Sequence, residues 1–207
     1  MKPKQSSLIK FLTVCVVPVI VGMSTQTAKA VNHYWDENDA TAGFGTAGTT
    51  LATWSNSTSL FSLDSTGSTA PTGTQLPTNN DVSFFGTNAV GVGLAGGIIT
   101  VSGNPSMSSP TFGTANTGSI EITGGQLNLG TAAALTITSN ALGNKISSVL
   151  IGGNSAQILT ITGGAMTLSG ANTFDRAITI NGTGSGKLIV TSVGSVGSTS
   201  SNMGAPT

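Results

Sequence analysis

The sequence predicts an all-β protein built as a solenoid, in which short strands stack coil upon coil. Residues 159–169, LTITGGAMTLS, match residues 120–130, IEITGGQLNLG, at an offset of 39 residues. From Gly97 onward, apolar residues alternate with Thr, Ser, Asn or Glu, as expected for short strands with one buried face. A strand pattern that recurs about every 20 to 50 residues is typical of stacked coils.

The first thirty residues predict a secretory signal peptide, 1–30, that is removed on export. Three lysines precede or begin the apolar run FLTVCVVPVIVGM, and the segment closes with the A-x-A pattern Ala28-Lys29-Ala30. The apolar run has about 13 residues and contains a proline, short of the roughly 20 residues that span a bilayer. We therefore expect an exported mature chain that begins at Val31 and has no membrane span.

Charge and cysteine content exclude several function classes. The whole chain has 7 Lys and Arg against 7 Asp and Glu. Four of the lysines lie in the leader, so the predicted mature chain has a net charge of about −4. That balance leaves no basic patch for a nucleic-acid partner. The single cysteine, Cys15, also lies in the leader, so we expect neither a disulfide nor a thiolate metal site.

Residues 31–96 are predicted to be an aromatic-rich N-terminal region. Its rings are Tyr34, Trp35, Phe44, Trp54, Phe61, Phe84 and Phe85. We expect this region to cap the stack, because an end coil exposes an apolar cross-section that must be covered. A separate small β-domain and a flexible lead-in are the open alternatives. The stretch from Ser65 to Asn80, STGSTAPTGTQLPTNN, predicts a long loop.

Residues 97–207 are predicted to form the β-strand repeat solenoid, cut short at its C-terminal end. The expected strands are IITVS, SIEIT, QLNLG, LTITS, SVLIG, ILTIT, AMTLS, AITIN and KLIVTS. Alternation predicts a set of inward-facing residues. They are Ile120, Ile122, Leu127, Leu129, Leu135, Ile137, Leu159, Ile161, Met166, Leu168, Ile178, Ile180, Leu188 and Val190.

The coil length is inferred from a further copy of the strand, LTIT at 135–138, which lies between the two matched segments. We interpret the 39-residue offset as two coils of about 20 residues each, in a stack of four or five coils. Glycine pairs at 124–125, 152–153 and 163–164 are the predicted corners.

Glycine-rich motifs in the chain do not predict a nucleotide site. Residues 43–48 and 91–96 both match G-x-G-x-x-G. That fingerprint holds a dinucleotide only where a strand precedes it and a helix follows. Here a Thr-rich loop follows the first copy and a strand follows the second. Residues 182–187, GTGSGK, lack the spacing of a phosphate loop and predict a turn.

Side chains that carry catalysis or bind metals are sparse. His33 is the only histidine, which argues against a Ser-His-Asp arrangement. Asp36, Asn38 and Asp39 offer oxygen ligands, but they lack the twelve-residue loop and closing Glu of a calcium site, so a solvated or N-terminal turn is expected. The sequence predicts no catalytic, cofactor-binding or metal-binding residue, and no cofactor.

The most specific segment is 166–174, MTLSGANTF, which continues as AITINGTGSGKLIV at 177–190. It resembles the autotransporter-associated β-strand repeat, L-T-L-S-G-A-N-T-Y-T-G-x-T-x-I-N-x-G-x-L-x-V. One departure is that Asp175-Arg176 replaces the usual Thr-Gly, which predicts an altered corner. The aromatic segment that begins Tyr34-Trp35-Asp36 also resembles the N-terminal lead-in of large exported proteins with this repeat.

The resemblance implies a right-handed parallel β-helix passenger or stalk, displayed at or beyond the cell surface. Members of this family are usually much longer. The chain stops at 200–207, SSNMGAPT, inside what resembles the next unit, so we expect further repeats of a longer chain as neighbours.

The expected function is a non-enzymatic structural or adhesive passenger segment whose partner is a surface ligand or glycan. Two alternatives stay open. An extracellular carbohydrate-active β-helix enzyme would need two acids within about 10 Å in one groove. A glycan-binding module would need Trp35 or Trp54 as an exposed stacking platform, and a buried pair would exclude it.

Overall fold

The computed structural model describes residues 29–48, 53–78, 80–113, 117–140, 143–182, 187–191 and 203. The predicted leader lies almost wholly outside these ranges, as do residues 183–186 of the predicted turn. Strands in the described part are β1 (Asn32–Trp35), β2 (Phe61–Ser62), β3 (Val82–Phe85), β4 (Gly97–Val101), β5 (Thr111–Phe112), β6 (Ile120–Gly124), β7 (Gln126–Asn128), β8 (Ala134–Ser139), β9 (Asn144–Ile146), β10 (Val149–Ile151), β11 (Ile158–Gly163), β12 (Met166–Leu168), β13 (Ala177–Asn181) and β14 (Leu188–Val190).

The strands form a β-solenoid of about four coils, as the alternation and the repeat predict. One long sheet has the order β13-β11-β8-β5-β3-β1-β2, and a second sheet has the order β14-β12-β9-β6-β4. A third side carries the pair β10-β7. Successive strands along the chain pass from one sheet to the next and return one coil later in parallel register. In the described part, β1 and β2 make the single antiparallel pair.

The strand register corrects the predicted coil length. Leu135 pairs with Leu159 in the long sheet, 24 residues on. Ile120, however, lies in the second sheet beside Gly97. The two matched segments therefore lie on different sides, and their 39-residue offset is not two coils. A coil here has about 24 residues and three sides, and each side is one strand followed by a corner. The 39-residue offset between the matched segments is therefore about five sides, one side short of two coils.

All nine predicted strand segments contain strands, and the glycine pairs lie at strand ends. Ten of the fourteen predicted inward-facing residues are buried. The last four are not: Ile178, Leu188 and Val190 are half-buried and Ile180 is 52% exposed. The reason is that β13 and β14 pair with a strand on one side only within the described residues.

A continuous apolar core fills the stack from Tyr34 to Phe174. The large rings gather at one end, and the stack continues from Phe85 to Phe112, whose ring centroids are 5.1 Å apart. The long sheet crosses the predicted 96/97 boundary, because β3 pairs with β5. The division into a cap, 31–96, and a solenoid, 97–207, stays a prediction. Residues 65–78 contain no strand, as expected for a loop.

No helix within the described ranges has the length and apolar character needed to cross a bilayer.

Candidate functional site

Trp35 and Trp54 belong to the buried aromatic cluster at the β1 end of the stack. Both side chains are 0% exposed, and their ring centroids are 6.2 Å apart with the planes inclined at 47°. Phe61 packs edge-on against each of them, at 5.1 and 5.2 Å. A stacking platform for sugars needs an accessible ring face, so the hypothesis that these tryptophans bind glycans is wrong.

A polar groove of about 260 Å³ lies beside this aromatic cluster, where the loop after Trp54 meets the next two coils. We name it the carboxamide groove. It is lined by Ser55, Asn56, Leu76, Pro77, Asn104, Pro105, Ser106 and Asn128. None of these residues carries a charge.

The walls of the carboxamide groove are cross-linked by their own amides. The Nδ2 of Asn56 donates to Oδ1 of Asn104 at 2.8 Å, and the backbone N–H of Asn104 donates to Oδ1 of Asn56 at 2.9 Å. Asn128 accepts from the backbone N–H of Gly130 at 2.8 Å. Carboxamides both donate and accept, and each has more hydrogen-bonding capacity than these contacts use. The groove therefore suits an uncharged, hydroxyl-rich ligand.

A second groove, of about 410 Å³, lies at the start of β1, and its lining includes Val31, His33, Leu63 and Asp81. Nε2 of His33 lies 3.4 Å from Oδ2 of Asp81. Burial lowers the pKa of His33 below its usual value, although Asp81 opposes the shift. Burial alone would raise the pKa of Asp81, but hydrogen bonds from Thr78 and Val31 and the neighbouring His33 outweigh it and lower that pKa.

The remaining carboxylates do not converge on a groove. Glu121 pairs with Lys145 at 3.1 Å and accepts from Ser147. Asp64 accepts from the backbone and hydroxyl of Thr66, bonds that lower the pKa of Asp64 to about 2. The carboxamide groove holds no acid, the second groove holds Asp81, and a third, beside β6, holds Glu121. None of these three grooves is therefore lined by the two carboxylates that a glycosidase pairs.

The acidic segment at 36–39 forms a turn, as the sequence predicts, but the turn is not solvated throughout, because Asp36 and Glu37 are 1% and 8% exposed. The backbone N–H of Asn38 donates to Oδ1 of Asp36 at 3.0 Å, and Asp39 has a φ of +57°. Burial, with added repulsion from Asp39, Asp64 and Glu37, raises the pKa of Asp36 to about 6. Across the described residues, no group of three His, Cys, Asp or Glu side chains is arranged to hold a metal ion.

The two G-x-G-x-x-G segments are the same corner in adjacent coils. The N–H of Phe44 donates to Gly93 O, the N–H of Ala95 donates to Gly45 O, and Thr46 forms a parallel bridge with Ala95. The sequence argued against a nucleotide site at both motifs but did not predict this pairing. The signal that could have found it is the similarity of GFGTAG to GVGLAG.

The segment that resembles the family repeat is explained by its contacts. A Cβ on Gly170 would lie 2.4 Å from the carbonyl oxygen of Ser148, so only glycine fits there. Oδ1 of Asn172 accepts the backbone N–H of Leu150 at 2.8 Å, and Asn172 is fully buried. Phe174 is also buried in the core. The motif thus joins one coil to the coil before it.

Arg176, the departure from the family pattern, fastens the corner two coils away. Its Nη1 donates to Ala132 O at 2.9 Å, and Nη2 donates to Leu129 O and Gly130 O at 2.9 and 3.0 Å. Burial lowers the pKa of Arg176. Its stem lies against Gly153, where a Cβ would be 2.6 Å from Nε. Arg176 therefore forms a cross-link between coils at this corner, and the alteration relative to the family repeat stays a prediction.

These features define a scaffold: a parallel β-solenoid whose three grooves, in the described part of the chain, are each lined by at most one carboxylate. The adhesin BmaC autotransporter of Brucella suis biovar 1 (strain 1330) is 34% identical to this chain over 157 residues. The matched region is 75% of this chain and 4% of that protein. Neither a family model nor a solved structure matches the chain.

The similarity and the fold together show that the chain is an autotransporter passenger-type β-helix. The predicted resemblance is therefore confirmed at that level. The chain spans only a small fraction of the relative's length, so the activity and partners of the whole relative do not transfer with the fold.

Proposed function

We propose that this chain is part of an exported passenger, displayed at the cell surface, that adheres to a surface ligand and performs no catalysis. The observation that carries this proposal is the solenoid with 34% identity to a protein named an adhesin. A stacked scaffold also suits adhesion, since each coil adds length to a long binding surface. The grooves, with at most one carboxylate each, support a binding role over a hydrolytic one.

The ligand class that we propose is a neutral glycan held in the carboxamide groove. Sugar hydroxyls both donate and accept hydrogen bonds, as do the amides of Asn56, Asn104 and Asn128. The rings of Pro77 and Pro105 supply apolar surface against the less polar face of a sugar. Without a charged side chain in the lining, an acidic glycan gains no ion pair there.

The test of this proposal is binding of the exported protein to an array of neutral and acidic glycans and to host cells. The variant Asn56→Ala/Asn104→Ala removes two amides of the groove. We expect it to lose most binding, roughly tenfold or more in affinity, as two lost polar contacts imply. Asn181→Ala is the matched control, because it removes an exposed amide at the end of β13.

Unchanged binding by the double variant would refute the groove as the ligand site. Failure of the unaltered protein to bind any cell or glycan would refute the adhesive role itself. Preference for acidic glycans would also contradict the neutral class.

A further inference from the structure

The start of β1 carries a carboxylate placed to receive a new chain terminus. We propose that removal of the leader after Ala30 gives Val31 an ammonium group that pairs with Asp81, and that this ion pair fastens the first strand to the stack. The proposal rests on the export of the chain, but not on what the passenger binds.

Val31 is held from both of its backbone ends. Its N–H donates to Oδ1 of Asp81 at 2.9 Å, and its carbonyl oxygen accepts from the N–H of Val82 at 2.9 Å. The parallel ladder of β1 and β3 starts at the next residue, where Asn32 pairs with Val82. Lys29 and Ala30 are exposed and outside any strand. Ordered pairing thus begins at the residue that follows the A-x-A pattern.

Asp81 is a buried carboxylate that forms no ion pair with a lysine or arginine of the described residues. It is 6% exposed, and its Oδ2 accepts from both the N–H and the hydroxyl of Thr78 at 2.6 and 2.7 Å. Its ionisable neighbour is His33, at 3.4 Å. Because burial disfavours the charged imidazole, the pair is anionic at neutral pH. Burying a charge that lacks a counter-charge is costly.

Leader removal supplies the missing charge at the atom that already contacts the carboxylate. Hydrolysis by a leader peptidase breaks the bond between Ala30 C and Val31 N, and water supplies the hydroxyl to Ala30 and a proton to Val31. The free amine takes a second proton from solvent, since an α-amino group has a pKa of about 8. Val31 is 41% exposed as a residue, and we infer that the remaining ammonium protons can be hydrated.

The titratable groups that line this groove in the described part of the chain are Lys29, His33 and Asp81. Lys29 is exposed, makes no ion pair within the described residues, and leaves with the leader. Pairing with Asp81 raises the pKa of the Val31 amine in the folded state. The stabilisation is therefore fully present below about pH 8 and is lost as the pH rises through the folded-state pKa.

The first measurement is mass spectrometry of the protein exported from the full-length gene, which we expect to begin at Val31. The second is the pH dependence of the reaction of that α-amine with acetic anhydride. We expect a pKa at least one unit above the ordinary value of about 8, a tenfold change in proton affinity. Asp81→Asn should return it to the ordinary value. Asp64→Asn, which removes another hydrogen-bonded carboxylate near β2, should leave it raised.

A structural control keeps both charges and separates them. Insertion of one glycine between Ala30 and Val31 in the full-length gene moves the ammonium by about 3.5 Å. We expect a lower melting temperature by about 2–4 °C near pH 7 and no difference near pH 10. A mature terminus other than Val31 overturns the proposal. An ordinary amine pKa that Asp81→Asn does not change also overturns it. Both readouts are independent of ligand binding, so failure of the adhesive proposal would not change them.

Discussion

Asp36 shows how burial of a single carboxyl group sets the pH dependence of this fold. Its side chain is 1% exposed, and one oxygen, Oδ2, has no hydrogen-bond partner. The folded-state pKa of about 6 lies above the ordinary value of 3.8. The folded protein therefore binds the proton more tightly, and stability is lost as the pH rises through 6.

Asp36→Asn should remove the cost of ionising this buried carboxyl group. We expect the difference in unfolding free energy between variant and parent to rise by about 3 kcal/mol, in favour of the variant, from about pH 3.5 to about pH 7.5. Asp64→Asn should have the opposite sign, because hydrogen bonds hold the pKa of Asp64 at about 2 and stabilise its ionised form. Denaturant unfolding at both pH values measures the two changes. A pH-independent difference for Asp36→Asn would contradict the account.

Gly153 and Arg176 are a coupled pair, because the arginine stem occupies the space where a Cβ on Gly153 would lie. Gly153 also has a φ of +88°, which costs an L-residue about 1–2 kcal/mol. We expect Gly153→Ala to lose at least about 1 kcal/mol less in the Arg176→Ala background than in the parent, since the clash is then absent. A double-mutant cycle of unfolding free energies measures the coupling, and strictly additive losses would disprove it.

Asn172 is where the family repeat joins two coils at the scale of the element. Asn172→Ala leaves the N–H of Leu150 buried without its carboxamide partner, so we expect a loss of about 1–3 kcal/mol. Thr173→Ala, one residue along and exposed, is the matched control and should change stability by less than about 0.5 kcal/mol. Chemical unfolding of both variants measures the two changes. Equal losses for the two variants would contradict the role of Asn172 in joining the coils.

The strands were predictable from the sequence, because the alternation of apolar and polar residues is a local pattern. The side of the solenoid to which each strand belongs was not predictable. Each side of a coil has the same short period, so LTITGG fits the long sheet at Leu159 and its counterpart fits the second sheet at Ile120. Strand β9, NKI, was missed because a buried Asn144 interrupts the apolar pattern. The carboxamide of Asn144 accepts a hydrogen bond from the N–H of Ile120, and this contact ties the buried polar side chain to the neighbouring strand.

The polar sites depend on contacts between residues that are far apart in sequence. His33 and Asp81 meet only because β1 pairs with β3, and Arg176 reaches Leu129 only because the coils stack in register. No local pattern marks such pairs. The same holds for the carboxamide groove, whose walls come from successive coils. The sequence did predict the turn at 36–39, since Asp and Asn form such turns from adjacent residues.

At the scale of the whole molecule, the fold is a stack of coils, and a coil in the middle of the stack has about 24 residues. That geometry makes the long sheet a continuous surface and brings each coil against the coils before and after it. It also supports the adhesive proposal, because the grooves lie where loops of successive coils meet. The central claim is therefore the stacking register, from which the grooves and the coil cross-links follow.

Disulfide formation tests the register most directly, because Cys15 is the only cysteine of the chain and lies in the predicted leader. Thr138 and Thr162 are register partners in the long sheet. Neighbouring strands lie about 4.8 Å apart, within the roughly 4.4–6.8 Å that a disulfide needs between Cα atoms. We predict that Thr138→Cys/Thr162→Cys cross-links on mild oxidation, whereas Thr123→Cys/Thr162→Cys, at the 39-residue offset, does not. Cross-linking of the second pair without the first would contradict the account.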